Sequence, residues 1–459
     1  MATTSRGTFD FSTIKGRLNP AQHGSNSAPP YALRWMFDID EELKSLHFMY
    51  SRTHDWALWN QGQRLIDTHF IFPLMHLDPA DPANYYFEAT DKMIRITQDV
   101  GMKIFYRLGT SIEQNAADVE GHNNSRVPED FDKYAEVLAG IVRHYTKGWA
   151  NGFHYDIEYW EIWNEPELGV NCWCGTKEEF ARFFVTVLKR LKSEFPELKI
   201  GGPAFTTPLG EWQNAVLQAC KDANVVPDFY SCHCYTNDPD KLIRRPREAR
   251  ELLDSFGFTE TEVSINEWHF RQDWTGVIPS TNRDHVRFTF DGPLGACNIR
   301  SAVFNLAVLI GWQDEPLETA CYYGADPGKP AFGFQDHEHR WNKCFYSMRM
   351  FGEFVTQYTH KIAVDVPRRT MGGNIYAIGA LSEDKKKAAI LIADYAGNEA
   401  ATHSFEVKGL ENYRCVQSRI LDNEHDMSLC KVEINKSALT VNKNDIGSAA
   451  WLIEFEKID

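Results

Sequence analysis

Apolar runs and helical stripes alternate along most of the chain. Strand-like runs fall near 31–36, 46–52, 103–108, 158–163, 198–202, 229–235, 262–267 and 318–323, and in Tyr159 to Trp163 and Val263 to Ile265 aromatic and β-branched residues are dense enough to favour strand. Between them lie helical patterns. Phe131, Tyr134, Leu138, Ile141 and Tyr145 recur at spacings of three and four and form one apolar stripe. Thr176 and Glu179 make a capping box ahead of Phe180, Phe183, Phe184, Val187, Leu188 and Leu191. Eight strand–helix units in this order predict an α/β fold, a closed (β/α)8 barrel.

The texture changes after a helical stretch near 340–357. Ile375-Tyr376-Ala377-Ile378, Ala388 to Ala393 and Ala450-Trp451-Leu452-Ile453-Glu454-Phe455 read as short strands separated by turn residues such as Met371-Gly372-Gly373-Asn374. The expected division is a catalytic barrel over 1–358 and a C-terminal β-sandwich over 359–459, which N-terminal residues are free to join. Three roles stand open for the sandwich: support, closing one side of a cleft, and self-association as a homo-oligomer.

Charge removes some partners. Forty-eight basic against 64 acidic residues leave a net charge of −16, which opposes phosphate backbones and anionic lipid. Nucleic acid and membrane are therefore not expected as partners. No stretch reaches the roughly 18 apolar residues that span a bilayer, and Met1-Ala2-Thr3-Thr4-Ser5-Arg6-Gly7-Thr8 lacks the apolar core of a signal peptide. A cytoplasmic location is the expectation. The ten cysteines are too sparse for a disulfide scaffold and read as reduced thiols. Cys415 and Cys430 are the pair that could meet across strands of the last domain.

Two of the strands end on a glutamate. Trp163-Asn164-Glu165-Pro166-Glu167 closes the fourth, and Ile265-Asn266-Glu267-Trp268 the seventh. The carboxyl ends of barrel strands carry the chemistry, and two carboxylates converging there suit glycosyl transfer to water. Glu161, mid-strand, and Glu167, beyond the proline, read as solvated or ion-paired acids. Trp163 reads as barrel packing.

A set of motifs in order sharpens this reading: Arg52-Thr53-His54, Ile104-Phe105-Tyr106-Arg107-Leu108-Gly109, Glu161 to Pro166, Ile200-Gly201-Gly202-Pro203-Ala204, Asp228 to Tyr235, and Asn266-Glu267-Trp268. With them the chain resembles glycoside hydrolase family 39, whose best-known members are β-xylosidases and α-L-iduronidases. The resemblance implies a retaining enzyme with Glu165 as acid/base and Glu267 as nucleophile. It also implies Asn164 on the sugar 2-hydroxyl, His54, His233 and Tyr235 lining the same subsite, Arg52 keeping Glu267 ionised, and Trp268 against a sugar face. Tyr323, after the eighth strand, joins this substrate-binding set. Retention requires the carboxyl groups about 5–5.5 Å apart, and an ionised Glu267 at that distance would raise the pKa of Glu165.

The motifs also depart from the family. Asn266 and His269 stand where its xylosidases have Thr and Asn, and Arg-Thr-His-Asp replaces Arg-Phe-His-Gly after strand two. The expected function is an exo-acting β-xylosidase-like hydrolase of short plant-cell-wall oligosaccharides. An arabinofuranosidase-type enzyme is the nearest rival, a barrel that binds carbohydrate without turnover the rival of another class, and a metal-dependent hydrolase on the same barrel the third. A uronic acid substrate would want a further cation, for which Arg107 is the candidate. No cofactor or metal is expected: Cys172-Trp173-Cys174 and Cys232-His233-Cys234 are spaced too closely for an ordinary zinc site. Gly333 to Arg340 is dense in ligand-capable side chains and reads as a loop bordering the pocket.

Overall fold

The computed structural model describes residues 3–26, 29, 38–54, 65–112, 124–271, 296–325, 332–335, 340–370, 373–397, 399–435, 437–444 and 446–458. An N-terminal strand, β1 (Thr3–Arg17), precedes the barrel strands β2 (Gly24–Ser25), β3 (Tyr50–Arg52), β4 (Lys103–Leu108), β5 (Tyr159–Ile162), β6 (Lys199–Phe205), β7 (Phe229–Thr236), β8 (Glu262–Phe270) and β9 (Thr319–Tyr322). These eight pair in sequence order, all parallel, and β9 returns to β2 to close the barrel. The predicted closed barrel is present.

Its first strand is not the one the sequence suggested. The run 31–36 lies outside the described residues, and Gly24–Ser25 closes the barrel, with Ser25 opposite both Ser51 and Tyr322. A side chain on Gly24 would stand 2.7 Å from the Ala320 carbonyl and 3.0 Å from that of Tyr50, so only glycine admits both neighbours.

The two helices singled out by their stripes form as expected. Phe131–Lys147 is capped by Asp130 and stopped by Gly148 in the left-handed region, while Lys177–Glu194 carries the full capping box of Thr176 and Glu179. The helix Ile299–Trp312 is apolar nearly all round and buried at every residue but Arg300. It is covered on both sides, by β8 and by the second sheet.

That sheet is built from β10 (His360–Asp365), β11 (Arg369–Thr370), β12 (Gly373–Leu381), β13 (Lys387–Gly397), β14 (Ala401–Lys408), β15 (Tyr413–Leu421), β16 (Asp426–Leu429), β17 (Glu433–Asn435), β18 (Ala438–Lys443) and β19 (Gly447–Lys457). With β1 it makes 11 strands in the order β16-β15-β19-β13-β12-β10-β1-β14-β18-β17, β11 pairing with β12. It curls like a sandwich around Phe9, Phe11, Ile390, Phe405, Trp451 and their neighbours. β1 therefore belongs to this sheet, antiparallel to β10 and parallel to β14. Cys415 and Cys430 are separate free thiols. Among the described residues no helix is long and apolar enough to cross a membrane.

Candidate active site

Inside the barrel, the inward side chains near the strand starts are Tyr50, Phe105, Tyr159, Phe229 and Cys321, a buried apolar layer. One step of the pleat further on, β3, β4 and β5 turn Arg52, Arg107 and Glu161 inward, all fully buried.

At the end of β5 the chain leaves the regular pleat. Trp163 and Glu165 adopt φ of 75° and 45°, left-handed values that non-glycine residues hold only when their surroundings enforce them. The Trp163 ring packs among Tyr134, Trp173 and Phe183, and its Nε1–H donates to the Cys172 carbonyl at 3.0 Å. Gly109 gives it room, since a Cβ there would lie 2.7 Å from the indole. Trp163 is packing, as read. Glu165 is held by its N–H, which donates to the Ala204 carbonyl at 3.0 Å.

β8 presents its glutamate by a different device. Its register against β7 slips between Cys232 and His233, so that Ile265 pairs with Cys232 and Glu267 with His233. This bulge sets two consecutive residues, Asn266 and Glu267, into the barrel interior, where strict alternation would admit one. Asn266 Nδ2 donates to Glu161 Oε1.

The two catalytic candidates meet. Glu165, His233 and Glu267 each place a ligand-capable atom within 4.8 Å of the other two. His233 Nδ1 shares a hydrogen bond of 2.7 Å with Glu165 Oε1 and lies 3.6 Å from Glu267 Oε2. Arg52 Nη1 donates to Glu267 at 3.1 Å, Nη2 to Asn164 Oδ1 at 2.8 Å and Nε to Glu161 at 2.7 Å. The Tyr235 hydroxyl donates to Glu267 Oε1, and His54 Nε2 stands 3.9 Å from Oε2. The Asn164 amide nitrogen is buried and has no partner among the described residues, which leaves its N–H bonds for a substrate oxygen.

Burial decides the protonation states. It pushes His233 down to about 4, against the pull of Glu267, so the imidazole is neutral near pH 7. It also holds the Tyr235 phenol well above its ordinary range, with Glu267 adding to the effect, so Tyr235 stays a donor. The Glu267 carboxyl is raised by burial first and by Glu165 as well, against His233, Arg52 and Tyr235. Arg52 stands where the sequence placed it, yet its charge does not outweigh burial. Burial opposes the guanidinium charge too, but Glu161 and Glu267 together keep Arg52 above its ordinary value.

The remaining candidates sort by position. Tyr323 borders the site, its ring 6.2 Å from that of His54 and 6.4 Å from that of Tyr235. Trp268 does not reach it. Next to Glu267 in the pleat, it faces the helices and packs edge-on against Trp312 and Tyr322, with 1% exposure. A sugar-stacking role for Trp268 is therefore not what the geometry offers. Arg107 is paired inside the barrel, with Asp67 at 2.6 Å and Ser111 at 2.9 Å. Cys232 and Cys234 are buried, and neither cysteine pair gathers a third metal-ligating side chain among the described residues. Glu165, His233 and Glu267 have the spacing to hold a cation, but Arg52 already brings a positive charge to Glu267. Residues 336–339 of the dense loop lie outside the described residues.

Residues 33–243 match the family model described as glycosyl hydrolases family 39. The match covers a little under half of the chain. The β-xylosidase of Geobacillus stearothermophilus is 32% identical over 167 residues, 32% of each chain. The match thus spans about a third of that curated relative's length. Two solved structures share the fold over nearly the whole length. A glucosidase from Croceicoccus marinus has a TM-score of 0.78 at 22% identity, with 100% of both chains covered. A family 39 enzyme from Xanthomonas axonopodis pv. citri has 0.71 at 15%, covering 100% of this chain and 98% of its own. The family 39 match includes Asn164 and Glu165 but stops before Glu267, so the second carboxylate rests on the geometry.

Some of the site escaped the sequence reading. Glu161, read as solvated or ion-paired, is fully buried and ion-paired with Arg52, and it also binds Ser231 (2.5 Å) and Asn266; its place in the site was what went unread. Its signal was a lone acid inside an apolar strand. Asn26 Oδ1 accepts from Arg52 at 3.0 Å, and its Nδ2 donates to the Asn266 carbonyl at 2.8 Å. It follows a strand too short to be read.

Proposed function

We propose that this chain is a retaining, exo-acting β-xylosidase-like glycoside hydrolase that works by double displacement on short oligosaccharides. The observation that carries this reading is the spacing of the carboxylates. Oxygens of Glu165 and Glu267 lie within 4.8 Å, in keeping with the roughly 5–5.5 Å of retaining enzymes and below the roughly 6.5–9.5 Å that admits a water in inverting ones.

In the first half-reaction Glu165 gives its proton to the glycosidic oxygen as Glu267 attacks the anomeric carbon, forming a glycosyl ester and releasing the aglycone. In the second, Glu165, now a carboxylate, takes a proton from water, whose oxygen displaces Glu267. Charge is conserved across the step, since one carboxylate is lost at Glu267 as one appears at Glu165. Throughout, Arg52 keeps Glu161 as counterion, so no bare guanidinium is buried when Glu267 is esterified. The Asn164 amide is free to donate to a sugar hydroxyl as the oxocarbenium-like transition state forms. Neutral His233, its Nδ1 hydrogen-bonded to Glu165 Oε1 at 2.7 Å, orients the acid/base carboxyl.

The test is hydrolysis of aryl xylosides, arabinofuranosides, arabinopyranosides, glucosides, galactosides and iduronides by wild type and Glu267→Ala, with azide added to the variant. Turnover of a xyloside, abolished by the substitution and restored by azide as the inverted glycosyl azide, is expected. Turnover of another sugar with the same rescue would keep the mechanism and replace the glycone. Silence of the wild type across the panel would overturn the hydrolase reading.

A further inference from the structure

Two residues beyond the acid/base, Glu167 occupies a place that the double displacement leaves without a task. It lies in the 3-10 turn Pro166–Asn171, and the sequence suggested a solvated or ion-paired acid. The structure leaves it half-buried and gives it no ion pair among the described residues. Its Oε1 accepts two hydrogen bonds from one residue, from the Thr206 N–H at 2.6 Å and the Thr206 hydroxyl at 2.8 Å. Its Oε2 is sealed from solvent with no hydrogen-bond partner among the described residues. Burial lifts this carboxyl from 4.5 to about 7, with Glu165 adding to the effect, against its own backbone N–H and the Thr206 hydrogen bonds. A carboxyl held under such conditions has its place fixed by its contacts and not by water.

The contacts lie beside Glu165. Thr206 follows β6, and Ala204 at the end of that strand accepts the Glu165 N–H at 3.0 Å. The segments after β5 and β6 are thus stitched twice, once by the backbone of Glu165 and once by the carboxyl of Glu167. Between the stitches both Glu165 and Ala204 are left-handed, with φ of 45° and 59°. Non-glycine residues keep that conformation only while their neighbours over-determine it.

We propose that Glu167, acting through Thr206, is a positioning residue that holds the acid/base at the leaving-group oxygen. This rests on the hydrolase reading above. Without the clamp the Glu165 backbone relaxes and the carboxyl moves off the oxygen it must protonate. Glu267 is held separately by Arg52 and Tyr235, so nucleophilic attack is spared. The loss then falls on substrates whose leaving group needs a proton.

The experiment compares kcat/KM for the 2,4-dinitrophenyl and phenyl glycosides of the sugar that wild type accepts. The first leaves without protonation and the second does not. Glu167→Ala is expected to lose about 10–100-fold on the phenyl glycoside, a part of what general acid catalysis supplies, and less than about threefold on the dinitrophenyl one. Glu167→Gln keeps an acceptor oxygen for Thr206 and recovers most of the phenyl activity. Thr206→Val removes one of the two hydrogen bonds and falls between; it carries the test if Glu167→Ala does not fold. Equal losses on both substrates, or none on either, would overturn the clamp while leaving the hydrolase standing. A wild type that hydrolyses no dinitrophenyl glycoside would remove both.

Discussion

Within one barrel the inward side chains change character over a single step of the strand pleat. Tyr50, Phe105, Tyr159, Phe229 and Cys321 form the lower layer. Two residues further along the same chain segments stand Arg52, Arg107, Glu161, Ser231 and Tyr323. Apart from Tyr323, which is half-buried just past β9, both layers use the same strand geometry and are buried, so geometry does not separate stability from chemistry. The side chains do. The lower layer buries rings against rings, as in the stacked Phe105 and Tyr159 at 5.0 Å, and gains from dispersion and desolvation. The upper layer buries charges, each tolerable only because a partner is in reach.

The comparison breaks most visibly at Glu267. Glu267→Ala is expected to lower kcat by about 10⁴-fold or more, as loss of a nucleophile does, while the thermal midpoint stays level or rises because a buried carboxyl is gone. Calorimetry beside steady-state rates checks it, and a large loss of stability would contradict the division of labour. In the lower layer Phe105→Ala should do the reverse. A fully buried ring replaced by a methyl costs about 3–5 kcal/mol, read as a fall in urea midpoint, with kcat per folded molecule kept within a few-fold.

Arg52 probes the boundary between the layers. Burial raises the Glu267 carboxyl and Arg52 holds it down, so the acidic limb of kcat/KM lies above the ordinary carboxylate range. Arg52→Met should move that limb further up, by about one pH unit or more. A downward move would show that Arg52 does not act on the Glu267 charge.

The smallest effect concerns Glu167, a carboxyl raised from 4.5 to about 7 by burial. A raised folded-state pKa stabilises fully below 4.5, and that contribution fades as pH rises through about 7. Glu167→Gln should therefore gain on wild type across that window, by about 1–3 °C in thermal midpoint.

Much of this was legible in the chain because strand ends and buried faces leave patterns. The seven barrel strands after the first sit where strand-like runs announce them; Asn164 and Glu165 follow the end of β5, while Glu267, expected at a strand end, lies within β8. The first strand was not legible. Gly24 and Ser25 carry no β-branched or aromatic side chain, and the place of the first is set by neighbours that admit only glycine. Trp268 was misjudged because a bulge, invisible in one sequence, changes which residues face inward around Asn266. Glu161 was read as solvated or ion-paired, and its pair with Arg52 bears out the second; the sequence did not show that this pair lies inside the site. Phe9 and Phe11 carried the alternation of a half-buried strand, but nothing local says that its partners are some 350–400 residues away.

That separation bears on synthesis. β1 lies between β10 and β14, and its partners begin with Thr3 against Ala401. At about 5–20 residues per second the ribosome needs about 20–80 s between making the first strand and the one beside it. For that interval Phe9 and Phe11 are an orphan edge of a sheet not yet made, while the barrel already has its strands. The newborn chain therefore depends on whatever shields a short apolar strand until the last hundred residues arrive to enclose it.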